Sequence, residues 1–448
     1  MCTLPRRRNG AQSEDECDPC KGGGSTAIIA RSSVARGTIA APPSKSYTHR
    51  AMVLGALTHS QFSLINPLMS EDTKSTLDAL YAFGTEFRSN ANGVLIHCEH
   101  LRGVPGILDA KNSGTTMRLI AGIASLLPST TTLTGDESLI RRPIAPLIDA
   151  LVQLGAKCSY LAKPGRPPLT VTGPITESST EVPGDISSQF VSSLLIACSQ
   201  KEGDTRIHLK SPLRSRPYVD ITLQMLRDFG GTVDEEPSGF KVRGGQKLER
   251  DSYTVPGDYS SASFPLAAAA ITGGDVTIRN LDVRSPQGDR AMIEHLRTFG
   301  ARVTVTDDAV RVRGNHLAGT EIDVRHTPDL FPILAVIGSI AEGKTVLKGG
   351  ENLKEKESDR IATTTEFLQN MGASIVPRND GCEIVGVERL HGTNVRTEGD
   401  HRILMAAAVA ALVSTSELRI EDNESYKVSY PGFLRDMHQL GCRLEVRK

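Results

Sequence analysis

The chain repeats one pattern six times along its length. In each copy an amphipathic segment ends in glycine and is followed by a strand-like run. The six glycines are Gly84, Gly155, Gly230, Gly300, Gly372 and Gly441. A glycine just beyond a helix adopts the left-handed conformation that stops the helix and frees the chain for the next strand. The intervals of 71, 75, 70, 72 and 69 residues therefore predict six copies of one supersecondary unit.

A second type of helix recurs with the same period and is apolar on every side. Its copies read RAMVLGAL, MRLIAGIASLL, FVSSLLIA, FPLAAAAI, FPILAVIGSI and ILMAAAVAAL. Helices without a polar face belong in a core, so each unit pairs one buried helix with one amphipathic helix. Short alternating runs such as ARVTVT supply the strands. We expect an α/β (α+β) fold of two similar lobes, each with three units, and a cleft between them where ligands bind.

Composition and charge exclude several classes of protein. The 448 residues carry 51 Lys and Arg against 52 Asp and Glu, and they include no Trp, which argues against a nucleic-acid partner. No long apolar run predicts a membrane span. Residues 1–25 lack the apolar stretch of a secretory signal, so we expect a disordered extension on a cytoplasmic protein. Cys17 and Cys20 have a metal-binding spacing but no second pair, so no metal site is predicted.

Polar residues precede each of the buried helices. These segments are PPSKSYTHR (42–50), KNSGTTMR (111–118), GDISSQ (184–189), GDYSSAS (257–263), RHTPD (325–329) and EGDHR (398–402). Such residues commonly serve as ordinary helix N-caps. Together with Lys or Arg at a helix N-terminus, they also form anion sites. Both interpretations stay open for any one segment, but six equivalent segments facing one cleft would favour a site for phosphorylated substrates.

Nine motifs occur in the order found in the 5-enolpyruvylshikimate-3-phosphate synthase family, and the chain resembles that family over residues 27–446. The motifs are SKSYTHRA (44–51), NSGTTMRL (112–119), RRPI (141–144), SSQF (187–190), SRPY (215–218), GDYSSAS (257–263), PDLFP (328–332), NLKEKESDRI (352–361) and GDHR (399–402). The resemblance implies an inside-out α/β fold of two lobes with three βαβαββ units each. It implies a first lobe over 44–255 and a second lobe formed by 26–43 and 256–448.

The resemblance also implies an activity. Family enzymes transfer the enolpyruvyl group of phosphoenolpyruvate to the 5-hydroxyl of shikimate 3-phosphate and release phosphate through a tetrahedral ketal. They need no cofactor and no metal. We expect these two small molecules as the partners, no nucleic acid or membrane, and a monomeric protein in the cytoplasm.

The same resemblance assigns roles to individual residues. Those expected to bind shikimate 3-phosphate are Lys45, Ser46, Arg50, Ser187, Ser188, Gln189, Ser215, Tyr218, Asp329, Asn352 and Lys356. Those expected to bind phosphoenolpyruvate are Lys45, Gly114, Arg118, Arg142, Gln189, Arg360, Arg402 and Lys427. The expected catalytic residues are Asp329, Glu357, Lys45 and Lys427. Glu357 is assigned to the methylene proton and Asp329 to the hydroxyl, with Asp329 and a lysine such as Lys356 both open as the group that takes the hydroxyl proton.

Two alternatives remain. The UDP-N-acetylglucosamine enolpyruvyl transferases share the fold and the chemistry, but they typically carry Cys, occasionally Asp, in the mobile loop that here reads GDESLIRRP (135–143). No Cys lies in this loop, and those transferases also lack the SKS motif. A non-catalytic anion-binding relative would be expected to lose the carboxylates, yet Asp329 and Glu357 are present. The sequence also departs from the family's common form at Pro43, Ser113, Thr116 and Lys354, none of which is a catalytic carboxylate.

Overall fold

In a computed structural model, residues 26–447 form 24 β-strands and 12 α-helices. The predicted extension over residues 1–25, with Cys17 and Cys20, lies outside these described residues. The first twelve strands are β1 (Ala27–Arg31), β2 (Arg36–Ala40), β3 (Gln61–Ile65), β4 (Glu86–Asn90), β5 (Gly93–His97), β6 (Ile107–Asp109), β7 (Thr131–Thr134), β8 (Lys157–Tyr160), β9 (Leu169–Thr172), β10 (Ser179–Val182), β11 (Thr205–Leu209) and β12 (Val233–Glu236). The other strands are β13 (Gly239–Val242), β14 (Ser252–Thr254), β15 (Asp275–Arg279), β16 (Arg302–Val305), β17 (Ala309–Arg313), β18 (Glu321–Asp323), β19 (Lys344–Lys348), β20 (Ser374–Arg378), β21 (Gly381–Val385), β22 (Asn394–Val395), β23 (Leu418–Ile420) and β24 (Arg443–Arg447).

The helices alternate between the two types that the sequence predicts. The buried helices are α1 (Lys45–Ala56), α3 (Gly114–Ala124), α5 (Ser188–Gln200), α7 (Tyr259–Ile271), α9 (Phe331–Ile340) and α11 (His401–Ala410). The amphipathic helices are α2 (Glu71–Ala82), α4 (Ala145–Gln153), α6 (Arg216–Asp228), α8 (Met292–Phe299), α10 (Arg360–Asn370) and α12 (Phe433–Gln439). All six repeat glycines have φ between 83° and 104°, which confirms the predicted left-handed helix stops.

The strands form six four-stranded sheets with one common topology. Their orders are β14-β3-β5-β4, β6-β7-β9-β8, β10-β11-β13-β12, β2-β15-β17-β16, β18-β19-β21-β20 and β22-β23-β1-β24. In each sheet the first pair is parallel and the other two pairs are antiparallel. This regular βαβαββ arrangement confirms the predicted α/β class with six repeated units.

Two hydrophobic clusters divide the described chain. One cluster contains core residues from Tyr47 to Val255, and the other joins Ile28–Ala41 to Tyr259–Leu444. The parallel neighbour of β3 is β14, from the far end of the first cluster, and the parallel neighbour of β15 is β2, from near the start of the chain. We therefore propose the lobe division expected from the sequence, 44–255 against 26–43 with 256–448.

The chain crosses between the two clusters at two adjacent points. Pro43 and Gly257 face each other as an isolated antiparallel pair. The hydrogen bonds come from the residues beside them, since Ser44 N donates to Pro256 O and Asp258 N to Pro42 O, each at 2.8 Å. Pro43 is therefore accommodated without losing a hydrogen bond. The two crossings bring the starts of α1 and α7 to the same place.

None of the helices between residues 26 and 447 has the length and apolar character needed to span a bilayer.

Candidate active site

One cavity between the two proposed lobes collects nearly all of the residues singled out in the sequence. We call it the interlobe cavity, and its lining includes Lys45, Ser46, Arg50, Gly114, Arg118, Arg142, Ser187, Ser188, Gln189, Ser215, Tyr218, Asp329, Asn352, Lys356, Glu357, Arg360 and Arg402. Five of the six buried helices contribute a residue from their first turns or from the segment just before them. The exception is α7, whose cap Asp258 and first-turn Ser260 line a small adjoining cavity.

The helix starts combine the two roles that the sequence left open. Ser113, Ser187, Asp258 and Asp400 each accept a hydrogen bond from a backbone N–H of the helix they precede. These side chains are therefore ordinary N-caps. The residues that follow Ser113, Ser187 and Asp400 nonetheless line the interlobe cavity, so the positive ends of these helix dipoles converge there. Capping and anion attraction are compatible at these positions.

The predicted residue Lys427 is the exception. It does not line the interlobe cavity, and its Nζ lies 2.6 Å from Glu424 Oε1, three residues earlier in the chain. Its side chain is partly exposed, in the short 3₁₀ helix Ser425–Val428 that contacts α2. Contact with a ligand in the cavity would require Lys427 to leave Glu424, so its role stays a prediction.

Arg360 is the centre of the charged network in the interlobe cavity. The side chain is 1% exposed and its guanidinium bonds three carboxylates. Its Nη1 lies 2.8 Å from Asp329 Oδ1, its Nη2 lies 2.6 Å from Glu357 Oε2, and its Nε lies 2.8 Å from Asp400 Oδ2. The fork geometry of guanidinium suits several carboxylates at once, which a lysine cannot match.

Asp329 is the most heavily bonded carboxylate in this network. Besides Arg360, its Oδ2 accepts from Arg402 Nη2 and from the Tyr218 hydroxyl, each at 2.9 Å. Burial works to raise the pKa of Asp329, but the charges of Arg402 and Arg360 outweigh it and hold that pKa below the usual range. The pKa of Glu357 is lowered in the same way, because Arg360 and Arg142 outweigh burial. Both carboxylates are therefore ionised at neutral pH.

Two of the arginines that line the interlobe cavity have no carboxylate partner among the described residues. Arg50 bonds Thr222 Oγ1 at 2.7 Å and the Tyr218 carbonyl at 3.0 Å. Arg118 bonds Gln189 Oε1 at 2.7 Å and a backbone carbonyl. Burial lowers the pKa of each guanidinium to about 10, which still leaves both charged. Buried cations bonded only to neutral groups are poised to bind anions.

Lys356 also makes no ion pair among residues 26–447. Burial lowers its pKa, and the charges of Arg360 and Arg402 act in the same direction, against Asp329 and Glu357. A lysine whose pKa is lowered in this way is better suited than an ordinary lysine to exchange a proton at neutral pH.

Sequence reasoning missed several carboxylates around the interlobe cavity. Asp72 bonds Lys45 Nζ at 3.0 Å, and Asp289 Oδ2 lies 3.3 Å from the Tyr218 hydroxyl oxygen. Asp400 belongs to the motif GDHR but has no role predicted from the sequence, although it both caps α11 and holds Arg360. The sequence pattern that could have identified Asp400 is an Asp directly before a predicted buried helix. Asp72 and Asp289 carry no comparable local signal.

Within the described part of the chain, no group of three or more His, Cys, Asp and Glu is arranged to hold a metal ion.

Comparison with known proteins gives one consistent result. A profile of the family described as EPSP synthase (3-phosphoshikimate 1-carboxyvinyltransferase) matches residues 29–437. The 3-phosphoshikimate 1-carboxyvinyltransferase of Methanocorpusculum labreanum is 44% identical over 420 residues, which cover 93% of this chain and 98% of that protein. The enzyme of the same name from Methanococcus maripaludis is 40% identical over 426 residues, covering 94% and 99%. A solved EPSP synthase from Acinetobacter baumannii superposes with a TM-score of 0.79 at 30% identity, covering 94% of this chain and 99% of that one.

The Arg360 network generates a stability prediction. Asp400→Asn keeps the shape of the side chain but removes a buried charge, and we expect it to lower the free energy of unfolding by about 3 kcal/mol. The control is Asp275→Asn, which disrupts the exposed ion pairs with Arg311 and Arg313 and should cost less than about 1 kcal/mol. Urea denaturation monitored by circular dichroism measures both. Equal effects of the two substitutions would contradict the central place of Asp400.

Proposed function

The chain belongs to the EPSP synthase family, and from that premise we propose how its interlobe cavity carries out the family's reaction. The protein is a 3-phosphoshikimate 1-carboxyvinyltransferase, which transfers the enolpyruvyl group of phosphoenolpyruvate to shikimate 3-phosphate in the shikimate pathway. The pathway supplies aromatic amino acids. The proposal concerns which side chains bind each substrate and which of them move protons.

Charge is the first support for substrate binding in the interlobe cavity. Each substrate carries a carboxylate and a phosphate, and a phosphate monoester has a charge near −2 at neutral pH. Seven cationic side chains and four carboxylates line the cavity. Most of those carboxylates already pair with Arg360, Arg402 or Lys45. The surplus positive charge is therefore available to the substrates, and guanidinium groups match the geometry of phosphate and carboxylate.

The unpaired cations suggest where each substrate binds. Arg50 lies beside Ser46, Ser192 and Tyr218, on the first-lobe side of the interlobe cavity. We assign shikimate 3-phosphate to that side, with contacts from Lys45, Ser187, Ser188, Gln189, Ser215, Asn352 and Lys356. A Cβ on Gly114 would lie within 3.4 Å of the guanidinium groups of both Arg118 and Arg142, so only glycine leaves this space open between them. We assign phosphoenolpyruvate to this second group, completed by Arg360, Arg402, Gln189, Lys45 and Lys427.

The proton transfers follow from the carboxylate environments. Glu357 delivers a proton to the methylene carbon of phosphoenolpyruvate while the 5-hydroxyl oxygen of shikimate 3-phosphate bonds to C2. The same residue then removes that proton as C2 releases phosphate and the double bond re-forms. Lys45 and Lys427 stabilise the charges of the tetrahedral ketal. Glu357 is ionised before the substrates bind. The negative charges of the bound substrates offset those of Arg360 and Arg142 and raise the pKa of Glu357, which then takes up a proton from water.

Asp329 orients the 5-hydroxyl of the acceptor substrate. It is a weak base because Arg360, Arg402 and Tyr218 already use its oxygens and its pKa is low. The lowered pKa of Lys356 favours this lysine as the group that takes the hydroxyl proton. We therefore propose that Asp329 positions the hydroxyl and Lys356 accepts its proton.

We propose that the working protein is a monomer in the cytoplasm, as the resemblance to the family implies. The five cysteines of residues 26–447 are free thiols, and four are buried, which fits the reducing conditions of the cytoplasm.

The choice of acceptor substrate separates this proposal from its nearest alternative. We expect the purified protein to release phosphate from phosphoenolpyruvate when shikimate 3-phosphate is added. No release is expected with UDP-N-acetylglucosamine, because the chain carries the SKS of SKSYTHRA (44–51), which those transferases lack, and has no Cys in the loop over residues 135–143. Colorimetric phosphate detection distinguishes the two. Release only with the nucleotide sugar would overturn the assignment, and release with neither would favour a non-catalytic relative.

The role of Glu357 is tested by a substitution that removes its ability to transfer a proton but keeps the size of the side chain. Glu357→Gln should lower kcat at least about hundredfold, which is typical for loss of a general acid and base. Binding of shikimate 3-phosphate, measured by calorimetry, should change little because the amide keeps the size of the side chain. Glu366→Gln on the exposed face of α10 is the matched control and should keep full turnover. Near-normal turnover of Glu357→Gln would remove this residue from the mechanism.

A further inference from the structure

Asp289 is a buried carboxylate that the proposed reaction does not use. It lies in the short 3₁₀ helix Gly288–Ala291 of the second proposed lobe and is 3% exposed. Its Oδ2 is 3.3 Å from the hydroxyl of Tyr218, and its Oδ1 has no hydrogen-bond partner. Among residues 26–447 it forms no ion pair. A buried carboxylate that lacks a cation and leaves one oxygen unpaired is costly in its ionised form.

The segment that carries Asp289 is pressed against the start of α6, where Tyr218 lies. A Cβ on Gly288 would come within 2.9 Å of Pro217 Cγ and 2.8 Å of the His326 carbonyl. Only glycine permits this approach without a shift of the backbone. The close packing brings a carboxylate of the second lobe to a hydroxyl of the first.

Tyr218 lies between two carboxylates with opposite surroundings. Its hydroxyl is 2.9 Å from Asp329 Oδ2 and 3.3 Å from Asp289 Oδ2. Asp329 is held ionised by Arg360 and Arg402, whereas Asp289 has neither. A phenolic hydroxyl has one proton to donate and can also accept a hydrogen bond. If both carboxylates were ionised, they would compete for the single proton of Tyr218.

We propose that Asp289 is a positioning residue which, as a neutral carboxylic acid, donates a hydrogen bond to the Tyr218 hydroxyl and so commits the proton of Tyr218 to Asp329. The result is a chain of two hydrogen bonds in which Asp289 donates to Tyr218 and Tyr218 donates to Asp329. This chain crosses the boundary between the two proposed lobes. Asp329 therefore receives its third hydrogen bond only when the lobes are together. The inference rests on the proposed role of Asp329 in orienting the acceptor hydroxyl.

The charges around Asp289 agree with a neutral form. The groups that face it are Asp329 before α9, Asp258 at the cap of α7, Ser260 on α7, Tyr218 on α6, Arg402 on α11 and Lys45 on α1. Burial raises the pKa of Asp289 to about 7, and Asp329 and Asp258 add to the rise, while Arg402 and the nearby Ser260 hydroxyl oppose it. Since this pKa is raised, the neutral form is present below about pH 7 and is lost as the pH rises through it. The orienting effect on Tyr218 is lost over the same range.

A double-mutant cycle on kcat tests the chain. Loss of one hydrogen bond corresponds to about a fivefold effect, so Asp289→Ala and Tyr218→Phe should each lower kcat by about that factor with little change in KM. In the Tyr218→Phe background, Asp289→Ala should have less than about a twofold further effect. Asp289→Asn should recover most of the lost turnover, because its amide donates as the neutral acid does. The proposal would be overturned if the two substitutions lowered kcat independently, so that their factors multiplied in the double variant. It would also be overturned if Asp289→Asn were as slow as Asp289→Ala.

Two further readouts separate positioning from a purely structural role. The kcat of the unmutated enzyme should decline as the pH rises through about 7, and Asp289→Asn should lack this decline. Infrared spectra of the substrate-free protein at pH 6 should show a protonated-carboxyl band that Asp289→Asn removes; an unchanged band would overturn the proposal whether or not the protein is active. Phosphate release by the unmutated enzyme tests the reaction itself, so failure of the function and failure of this inference give different results.

Discussion

The three ion pairs of Arg360 are the interaction on which the active site depends. A single buried guanidinium holds Asp329 from the turn before α9, Glu357 from just ahead of α10, and Asp400 from the cap of α11. These three carboxylates come from two neighbouring repeats, so the same contacts that stabilise the second lobe also set the positions of both proposed catalytic carboxylates. Removing one partner would leave an uncompensated buried charge, which is why the network resists rearrangement. Because most carboxylates of the cavity pair within this network, Arg50 and Arg118 have no carboxylate partner among residues 26–447, as the proposed binding of the anionic substrates requires.

The sixfold repeat explains how distant segments reach one cavity. Each unit places a buried helix at the same position relative to its sheet, so equivalent helix starts converge on the interlobe cavity. The two crossings at Pro43 and Gly257 exchange strands between units. Strand β2 directly precedes α1 in the chain, but it pairs with β15, the strand that follows α7. This exchange brings Lys45 and Ser46 close to the start of α7 in the other lobe, where they share a small cavity with Asp258.

Much of this arrangement is visible in the sequence because it is local and periodic. The repeat glycines, the apolar helices and the polar segments before them each follow from neighbouring residues, and the structure confirms the units they predict. Roles that depend on contacts between distant residues are not visible. Asp72 and Asp289 stand in ordinary helical surroundings, and only the packing of α1 on α2, or of Gly288 on Pro217, brings each to its partner. Lys427 shows the converse, because the resemblance predicts that this lysine binds phosphoenolpyruvate, but it pairs with nearby Glu424 and does not line the cavity.

The most direct measurement is a crystal structure of the Arg360→Lys variant without substrates. A lysine ammonium is a compact point charge on a flexible stem and cannot replace the planar fork that reaches three carboxylates. We expect the introduced ammonium to stay with Asp400, the fully buried partner, while the carboxylate of Glu357 or Asp329 moves by about 1 Å or more, a distance at which turnover falls steeply. If all three carboxylates keep their positions around the introduced side chain, Arg360 is not what organises this site.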